Sequence, residues 1–309
     1  MKKIIPVFFI LLTTFIVNAQ KIYIKTFGNN KEKSVLFLHG GPGYNCAAFE
    51  ATTAQKLADN GFYVIVYDRR GEGRSLDSNA KFTFQQTFDD LNNILSEFKI
   101  EKVNVIGHSF GGIVATLFAE KYPEKVNSII LVSAPVVLQS TFKTIIKTSK
   151  EIYQAKKDTE TLGYIEYLES LDTASIEYSS YCFGYALQNG FYTPKEMSKE
   201  AKKLYSGFRK DTLLSEYGMQ MTEEAPNGFW KNEKYTTINL TSNLKNLLSK
   251  KMKIYGLFGK DDGLYSREQV KELQNLIGST HLQYFDNCSH NVFIDQQTPF
   301  IGALKNWIE

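Results

Sequence analysis

One stretch of this chain carries the pattern that decides its fold, and it reads Val103-Asn104-Val105-Ile106-Gly107-His108-Ser109-Phe110-Gly111-Gly112-Ile113-Val114. A β-branched run, a serine between two glycines and an apolar helix-forming run follow one another there, which is G-x-S-x-G in a strand–turn–helix context. Gly107 and Gly111 leave room for a tight turn that holds Ser109 in a strained backbone conformation and exposes its hydroxyl. The pattern therefore predicts that Ser109 is a nucleophile.

Strand-like and helix-like segments alternate on both sides of this stretch. Short apolar strands are predicted at residues 35–38, 62–67, 103–106, 129–132, 252–258 and 281–285. Helical segments separate them, as at residues 84–98, where Phe88, Leu91 and Leu95 recur at helical spacing. Buried strands separated by helices predict an α/β protein with a mostly parallel central sheet and helices on both faces.

The alternation stops near Pro135 and resumes after a long insertion. Residues 138–235 have the pattern of several amphipathic helices with little strand signal, so a helical cap is predicted there. The hairpin-like residues 21–33 are expected to supply the first strands, which places the cap after the sixth strand. Residues 20–137 and 236–309 then form one α/β core.

Residues 1–19 are predicted to be a signal peptide. They contain two early lysines, the apolar residues 4–17 and the small or apolar cleavage residues Val17-Asn18-Ala19. The apolar run is short for a membrane span. We expect a mature chain that begins near Gln20 and is periplasmic or secreted, with no further membrane contact; an uncleaved anchor is the alternative.

Charge and cysteine usage exclude some functions. Lysine and arginine number 36 against 33 acidic residues, a net charge of +3, and no dense basic cluster points to nucleic acid. Cys46, Cys182 and Cys288 lack metal-ligand spacing. Three separate buried thiols are expected, and one oxidised pair is the alternative in an exported protein. Nothing in the sequence indicates an oligomeric state.

An acid and a base follow Ser109 in the chain order that G-x-S-x-G folds use. Asp261 and Asp262 end the strand at residues 252–258, and His290 lies in the loop after the strand at residues 281–285. All of them should lie at the carboxyl edge of the sheet, beside Ser109. A serine hydroxyl needs a base, and the base needs an acid to orient it. We predict that His290 is the base and favour Asp262 as the acid.

A glycine-rich loop, His39-Gly40-Gly41-Pro42-Gly43, follows the first of these apolar strands. Acyl transfer builds negative charge on the carbonyl oxygen, and preplaced backbone N–H groups stabilise it. The N–H groups of Gly41 and Phe110 are predicted to form this oxyanion hole.

A second loop, Asp68-Arg69-Arg70-Gly71-Glu72-Gly73-Arg74-Ser75, follows the next strand. Its charged residues are expected to form a structural ion-pair network rather than to bind substrate.

The chain resembles the α/β-hydrolase superfamily over essentially its whole mature length. H-G-G-P-G at residues 39–43, D-x-R-G-x-G-x-S at residues 68–75 and the elbow at residues 107–112 together resemble the proline iminopeptidase group. Gly259-x-x-Asp262 also matches the acid position of that group. The resemblance implies an α/β-hydrolase fold with a helical cap, and a short peptide or amino-acid amide with a free N-terminus as substrate.

The cap departs from this group. Proline iminopeptidases are expected to hold the substrate amine with cap glutamates in tryptophan-rich surroundings, but Trp230 is the one tryptophan of this cap. Candidate substrate-binding residues, chosen on residue type, are Glu177, Glu216, Glu223, Glu224 and Trp230.

The expected function is that of a serine hydrolase that works through an acyl-enzyme without a metal or organic cofactor. An aminopeptidase of proline iminopeptidase type is the first hypothesis, and a carboxylesterase for small esters is the alternative. A slow-turnover binding protein that retains the fold is a hypothesis of another class, and a lyase- or haloperoxidase-like use of the triad is a smaller one.

Overall fold

The computed structural model describes residues 22–308, so the signal peptide predicted at residues 1–19 lies outside the described part. Its sheet contains the strands β1 (Ile24–Phe27), β2 (Lys33–Leu38), β3 (Phe62–Tyr67), β4 (Val103–His108), β5 (Val126–Val132), β6 (Lys253–Gly259) and β7 (Leu282–Phe285). The strands lie in the order β1-β3-β2-β4-β5-β6-β7. Only β1 is antiparallel to its neighbour, which confirms the mostly parallel sheet.

The central strands are apolar throughout because helices cover both faces of the sheet. Every residue of β3 and β4 is buried. Alternate side chains enter different clusters: Leu36 and Val105 pack on one face, and Val35 and Ile106 pack on the other. This alternation follows from the two-residue period of a strand, and it leaves the strand ends as the place for polar groups.

The helices fall into a core set and a cap set. The core set is α1 (Ala47–Phe49), α2 (Gln55–Ala58), α3 (Phe84–Glu97), α4 (Phe110–Lys121), α11 (Thr241–Ser249), α12 (Arg267–Ile277), α13 (Val292–Asp295) and α14 (Gln297–Trp307), with a π-helical turn at Glu50–Ala54 between the first two. The cap set is α5 (Leu138–Lys156), α6 (Thr159–Ser170), α7 (Ile176–Gln188), α8 (Lys199–Gly207), α9 (Thr212–Tyr217) and α10 (Glu224–Glu233). Among the described helices, none combines the length and the apolar character that a bilayer span needs.

The cap joins the core through two chain segments that run side by side. The N–H of Leu240 donates to the carbonyl of Val136 (2.7 Å), and the N–H of Leu138 donates to that of Ile238 (3.0 Å). An antiparallel bridge between Val137 and Asn239 completes this neck. The insertion therefore leaves and re-enters the core at one point.

The predicted position of the cap in strand order needs a correction. In residues 22–308 the cap follows the fifth strand, β5, rather than the sixth. The region predicted as a hairpin contributes one described strand, β1, which pairs with β3 and not with β2. The turn at Gly28, whose φ is +84°, then leads directly into β2.

The three cysteines are separate thiols, as the simpler interpretation predicted. Cys46, Cys182 and Cys288 are all buried and unpaired. Burial raises the pKa of the Cys182 thiol to about 12, which keeps it protonated and unreactive at neutral pH.

Candidate active site

Ser109 lies between β4 and α4 at the carboxyl edge of the sheet. Its φ of +53° and ψ of −123° place it outside the usual regions for a non-glycine residue. The backbone is held there because its N–H donates to the carbonyl of Val132 (2.9 Å). A Cβ on Gly107 would lie 2.6 Å from the carbonyl oxygen of Gly111, and one on Gly111 would collide with that of Leu38. The elbow therefore requires both glycines.

The structure joins His290 to Asp262. His290 Nδ1 lies 2.9 Å from Asp262 Oδ2, and both side chains are buried. Asp262 Oδ1 accepts a hydrogen bond from the N–H of Leu264 (3.1 Å), which fixes the carboxylate. Asp261 instead accepts from the N–H of Lys195 in the cap (3.2 Å). Of the two aspartates, Asp262 is the one that orients the imidazole.

His108 connects the elbow to the histidine loop. Its ring centroid lies 4.9 Å from that of His290, and its Nε2–H donates to the carbonyl of His290 (3.1 Å). Burial, and then the proximity of His290, holds the pKa of His108 well below its usual value, so this ring is neutral. The sequence assigned His108 only to the turn. The signal in the sequence for its contact with the His290 loop was the position of His108 next to Ser109.

A buried ion pair holds the glycine-rich loop. Arg69 donates to the carbonyl of His39 (2.5 Å) and to that of Gly40 (2.6 Å), and it pairs with Glu72 (2.9 Å). Glu72 also accepts from the N–H of Gly43 (2.8 Å). Charged side chains therefore fix this loop on both sides of Gly41.

The other charges of the second loop are also paired, which confirms the ion-pair interpretation. Arg74 contacts Asp68 (2.7 Å) and Glu50 (2.8 Å). Arg70 contacts Asp90 (2.6 Å) and Asp77 (3.0 Å).

Gly41, Ser109 and Phe110 border one small cavity of about 20 Å³ under the cap. Phe110 is the first residue of α4, so its N–H has no carbonyl one turn back within the helix. The cap closes the cavity with Leu138, Thr141, Phe183 and Tyr235. None of the described residues that line it carries a carboxylate.

The structure does not bring the predicted cap residues to this cavity. Glu177, Glu216, Glu223 and Glu224 are exposed. Trp230 donates its indole N–H to the carbonyl of Ala174 (2.8 Å), and the Lys234 ammonium lies 4.2 Å from the centre of its ring. Amphipathic cap helices therefore turn these acids to solvent. Within residues 22–308, no cluster of His, Cys, Asp and Glu side chains is placed to hold a metal ion.

The cap also contacts the loops of the acid and the base. The carbonyl of Phe191 accepts from the N–H of Gly263 (3.1 Å) and from the Ser289 hydroxyl (2.8 Å). Asp295 accepts from the N–H of Ser289 and from the Tyr205 hydroxyl, both at 2.8 Å.

Asp295 was missed at the sequence level because one carboxylate in a helical stretch carries no local signal. Burial raises its pKa to about 6, although the two hydrogen bonds act in the opposite direction.

The fold and the site define a class of protein, and comparison with known proteins agrees with it. The sequence profile of the alpha/beta hydrolase fold matches residues 33–297, so the chain belongs to the α/β-hydrolase family, and it is a hydrolase.

Among full-length relatives, the chain resembles proline iminopeptidases. It is 25% identical to that of Lactobacillus acidophilus over 94% of this chain and 95% of the relative. It is 24% identical to that of Saccharolobus solfataricus over 98% and 96% of the two chains.

Solved structures share the fold at lower identity. An esterase from Exiguobacterium antarcticum superposes with a TM-score of 0.63 at 18% identity, covering 94% of this chain and 97% of the other. A proline iminopeptidase-related protein from Thermus thermophilus gives a TM-score of 0.66 at 20% identity, covering 94% and 96%.

Proposed function

We propose that the chain is a serine hydrolase in which Ser109 attacks an acyl carbonyl and His290 takes the hydroxyl proton. Asp262 holds the imidazole in one tautomer and stabilises its protonated form. The N–H groups of Gly41 and Phe110 stabilise the oxyanion. His290 then gives its proton to the leaving group, and water that His290 activates releases the acyl group from Ser109.

The observation that carries this proposal is the 2.9 Å contact between His290 and Asp262 at the sheet edge where Ser109 stands. A surface-loop histidine would not be buried against a fixed carboxylate. The carboxylate is held by a backbone N–H, and the ring packs against its neighbour His108. This is the acid–base arrangement that a serine nucleophile needs.

The lining of the cavity favours an uncharged acyl group over a charged one, and this supports carboxylesterase activity on small esters. Its lining is apolar apart from hydroxyl groups, and no described lining side chain offers a negative charge to an ammonium ion. Burying an ammonium ion without such a partner is costly.

The second candidate is an aminopeptidase of proline iminopeptidase type. It is supported by relatives that carry this name and align over nearly the whole chain. A free substrate amine would require a cap carboxylate to turn towards Ser109.

One substrate panel tests both candidates. Purified protein and its Ser109→Ala variant are assayed on p-nitrophenyl acetate and butyrate beside prolyl and alanyl arylamides. We expect hydrolysis of the esters, loss of that activity in the variant by about 10⁴-fold or more, and weak activity on the arylamides. Arylamide cleavage alone would favour the aminopeptidase. If the protein hydrolysed none of these compounds, the result would favour the hypothesis of a slow-turnover binding protein.

We further propose that the chain is exported, on the strength of the basic and apolar start at residues 1–19. N-terminal sequencing of the protein recovered from the periplasm or medium tests this. A chain that still begins at Met1 would contradict cleavage.

A further inference from the structure

Thr141 carries a buried hydroxyl without a hydrogen-bond partner in the described structure. The residue lies in α5 and is 1% exposed. Threonines in helices usually satisfy this group by donating to the carbonyl four residues earlier. Thr116 and Thr144 do so, at 2.8 Å and 3.1 Å. The hydroxyl of Thr141 makes no such bond, unlike those of Thr116 and Thr144.

Thr141 also lines the catalytic cavity together with Ser109 and Phe110. Most of the surrounding side chains are apolar, such as Leu138 and Phe183. The hydroxyl of Tyr265, another lining residue, is already engaged because it donates to the carbonyl of Ser133 (2.8 Å). Thr141 thus adds an unused donor and acceptor to the cavity wall beside the nucleophile.

We propose that Thr141 is a specificity-determining residue whose hydroxyl hydrogen-bonds an uncharged oxygen in the acyl chain of the substrate. Buried polar groups in folded proteins are almost always paired, so the Thr141 hydroxyl is available to a ligand atom that enters the cavity. A single neutral hydroxyl suits an ether, hydroxyl or carbonyl oxygen better than an ammonium ion. The preferred substrates are then esters of short acyl groups that carry one oxygen, rather than of plain alkyl acids.

This inference rests on the proposed ester hydrolysis by Ser109, and matched substrates test it. One pair is p-nitrophenyl butyrate and methoxyacetate, and the other is pentanoate and 3-methoxypropanoate. In each pair an ether oxygen replaces one methylene. The ratio of kcat/KM for the oxygen-containing ester over its alkyl partner is measured in the wild type and in Thr141→Val. Intrinsic reactivity cancels when the two ratios are compared.

We expect Thr141→Val to lower this ratio about 3- to 10-fold for at least one pair, because valine keeps the shape and removes the hydroxyl. The melting temperature should stay the same or rise, since an unsatisfied group is removed. Thr144→Val, one turn further along α5, is the control and should leave the ratios unchanged.

Unchanged ratios in both pairs, with esterase activity intact, would overturn the role of Thr141 alone. An equal loss on alkyl and oxygen-containing esters would also overturn it, because that result indicates a packing role. A wild type that hydrolyses none of the four esters, and so equals Ser109→Ala, would overturn the proposed ester hydrolysis and this inference together.

Discussion

Charged side chains are buried and paired at the carboxyl edge of the sheet, whereas on the cap they are exposed to solvent. At the sheet edge, Arg69, Glu72 and Asp262 are buried, and each has a partner at hydrogen-bond distance. On the cap, Glu177 and Glu216 are exposed, and the side chains that reach the cavity are apolar or hydroxylated. Buried charges must be paired to be tolerated, so they fix geometry. The comparison teaches that paired charges fix the geometry at the sheet edge, while cap side chains form the wall of the cavity above it.

The largest expected effect tests which aspartate belongs to the core machinery. Asp262→Asn should lower kcat by about 10⁴-fold, because the amide no longer stabilises the protonated imidazole and favours the wrong tautomer. Asp261→Asn is the matched control and should retain activity within about 3-fold, since Asp261 contacts the cap backbone. Steady-state kinetics on the best ester measures both. Equal losses of kcat in the two variants would mean that contact with His290 does not identify which aspartate is the catalytic acid.

A smaller effect tests the buried ion pair under the glycine-rich loop. Arg69→Met should lower the free energy of unfolding by about 3–5 kcal/mol, because Glu72 is left buried and unpaired. Urea denaturation measures the loss. Adding Glu72→Gln to Arg69→Met should restore part of it.

Arg70→Met is the control for this prediction, since the Arg70 side chain is 21% exposed and its loss should cost less. A loss for Arg69→Met no larger than for Arg70→Met would contradict the expected difference between a fully buried and a partly exposed arginine.

Asp295 lies where the core and the cap meet, and we expect its contribution to the free energy of unfolding to depend on pH. Its native pKa of about 6 lies above the usual aspartate value of about 4. Between pH 4 and pH 6 the Asp295 carboxyl group keeps its proton in the native state, whereas in the unfolded chain it has lost it. The stability of the wild type therefore falls as pH rises through this window, by about 3 kcal/mol from this group.

Asp295→Asn removes this dependence. The difference in unfolding free energy, wild type minus variant, should therefore decrease by about 2 kcal/mol between pH 4 and pH 7 in urea titrations. A difference that stays constant across this range would show that burial does not perturb Asp295.

The smallest effects are expected on the cap surface. Glu177→Gln, Glu216→Gln, Glu223→Gln and Glu224→Gln should each change stability by less than about 0.5 kcal/mol and kcat/KM by less than about 2-fold. Thermal unfolding and ester kinetics measure these changes. A selective rise of KM for prolyl arylamide in one variant would instead identify the amine-binding residue of an aminopeptidase.

The sequence predicted the sheet edge well because its signals are local. Gly107 and Gly111 mark a turn that only glycines allow, and chain order placed Asp262 and His290 at the same edge. The hydrophobic periods of helices and strands also predicted the bounds of most strands to within a few residues. The loop charges were also predicted as ion pairs, because acids and arginines alternate there.

The cap could not be predicted in the same way. Its helices are amphipathic, and residue type alone does not tell which acid faces a ligand and which faces water. Thr141 and Asp295 gain their positions from long-range packing of α5 and α13, to which no short motif refers. The strand count failed for a related reason, since β1 pairs with β3 across the chain instead of with its neighbour.

The small size of the cavity beside Ser109 has a consequence for the proposed hydrolysis. A cavity of about 20 Å³ holds about one water, so there is room for an acyl group beside Ser109 only when cap side chains move aside. The chain passes between core and cap at the neck, Val136–Val137 and residues 238–240, while the contacts of Phe191 and Tyr205 with the base loop and α13 hold the cap at other points. Binding is then coupled to a conformational equilibrium. The apparent dissociation constant equals the intrinsic one divided by the open fraction, so changes in the neck alter apparent affinity without touching any residue that contacts substrate.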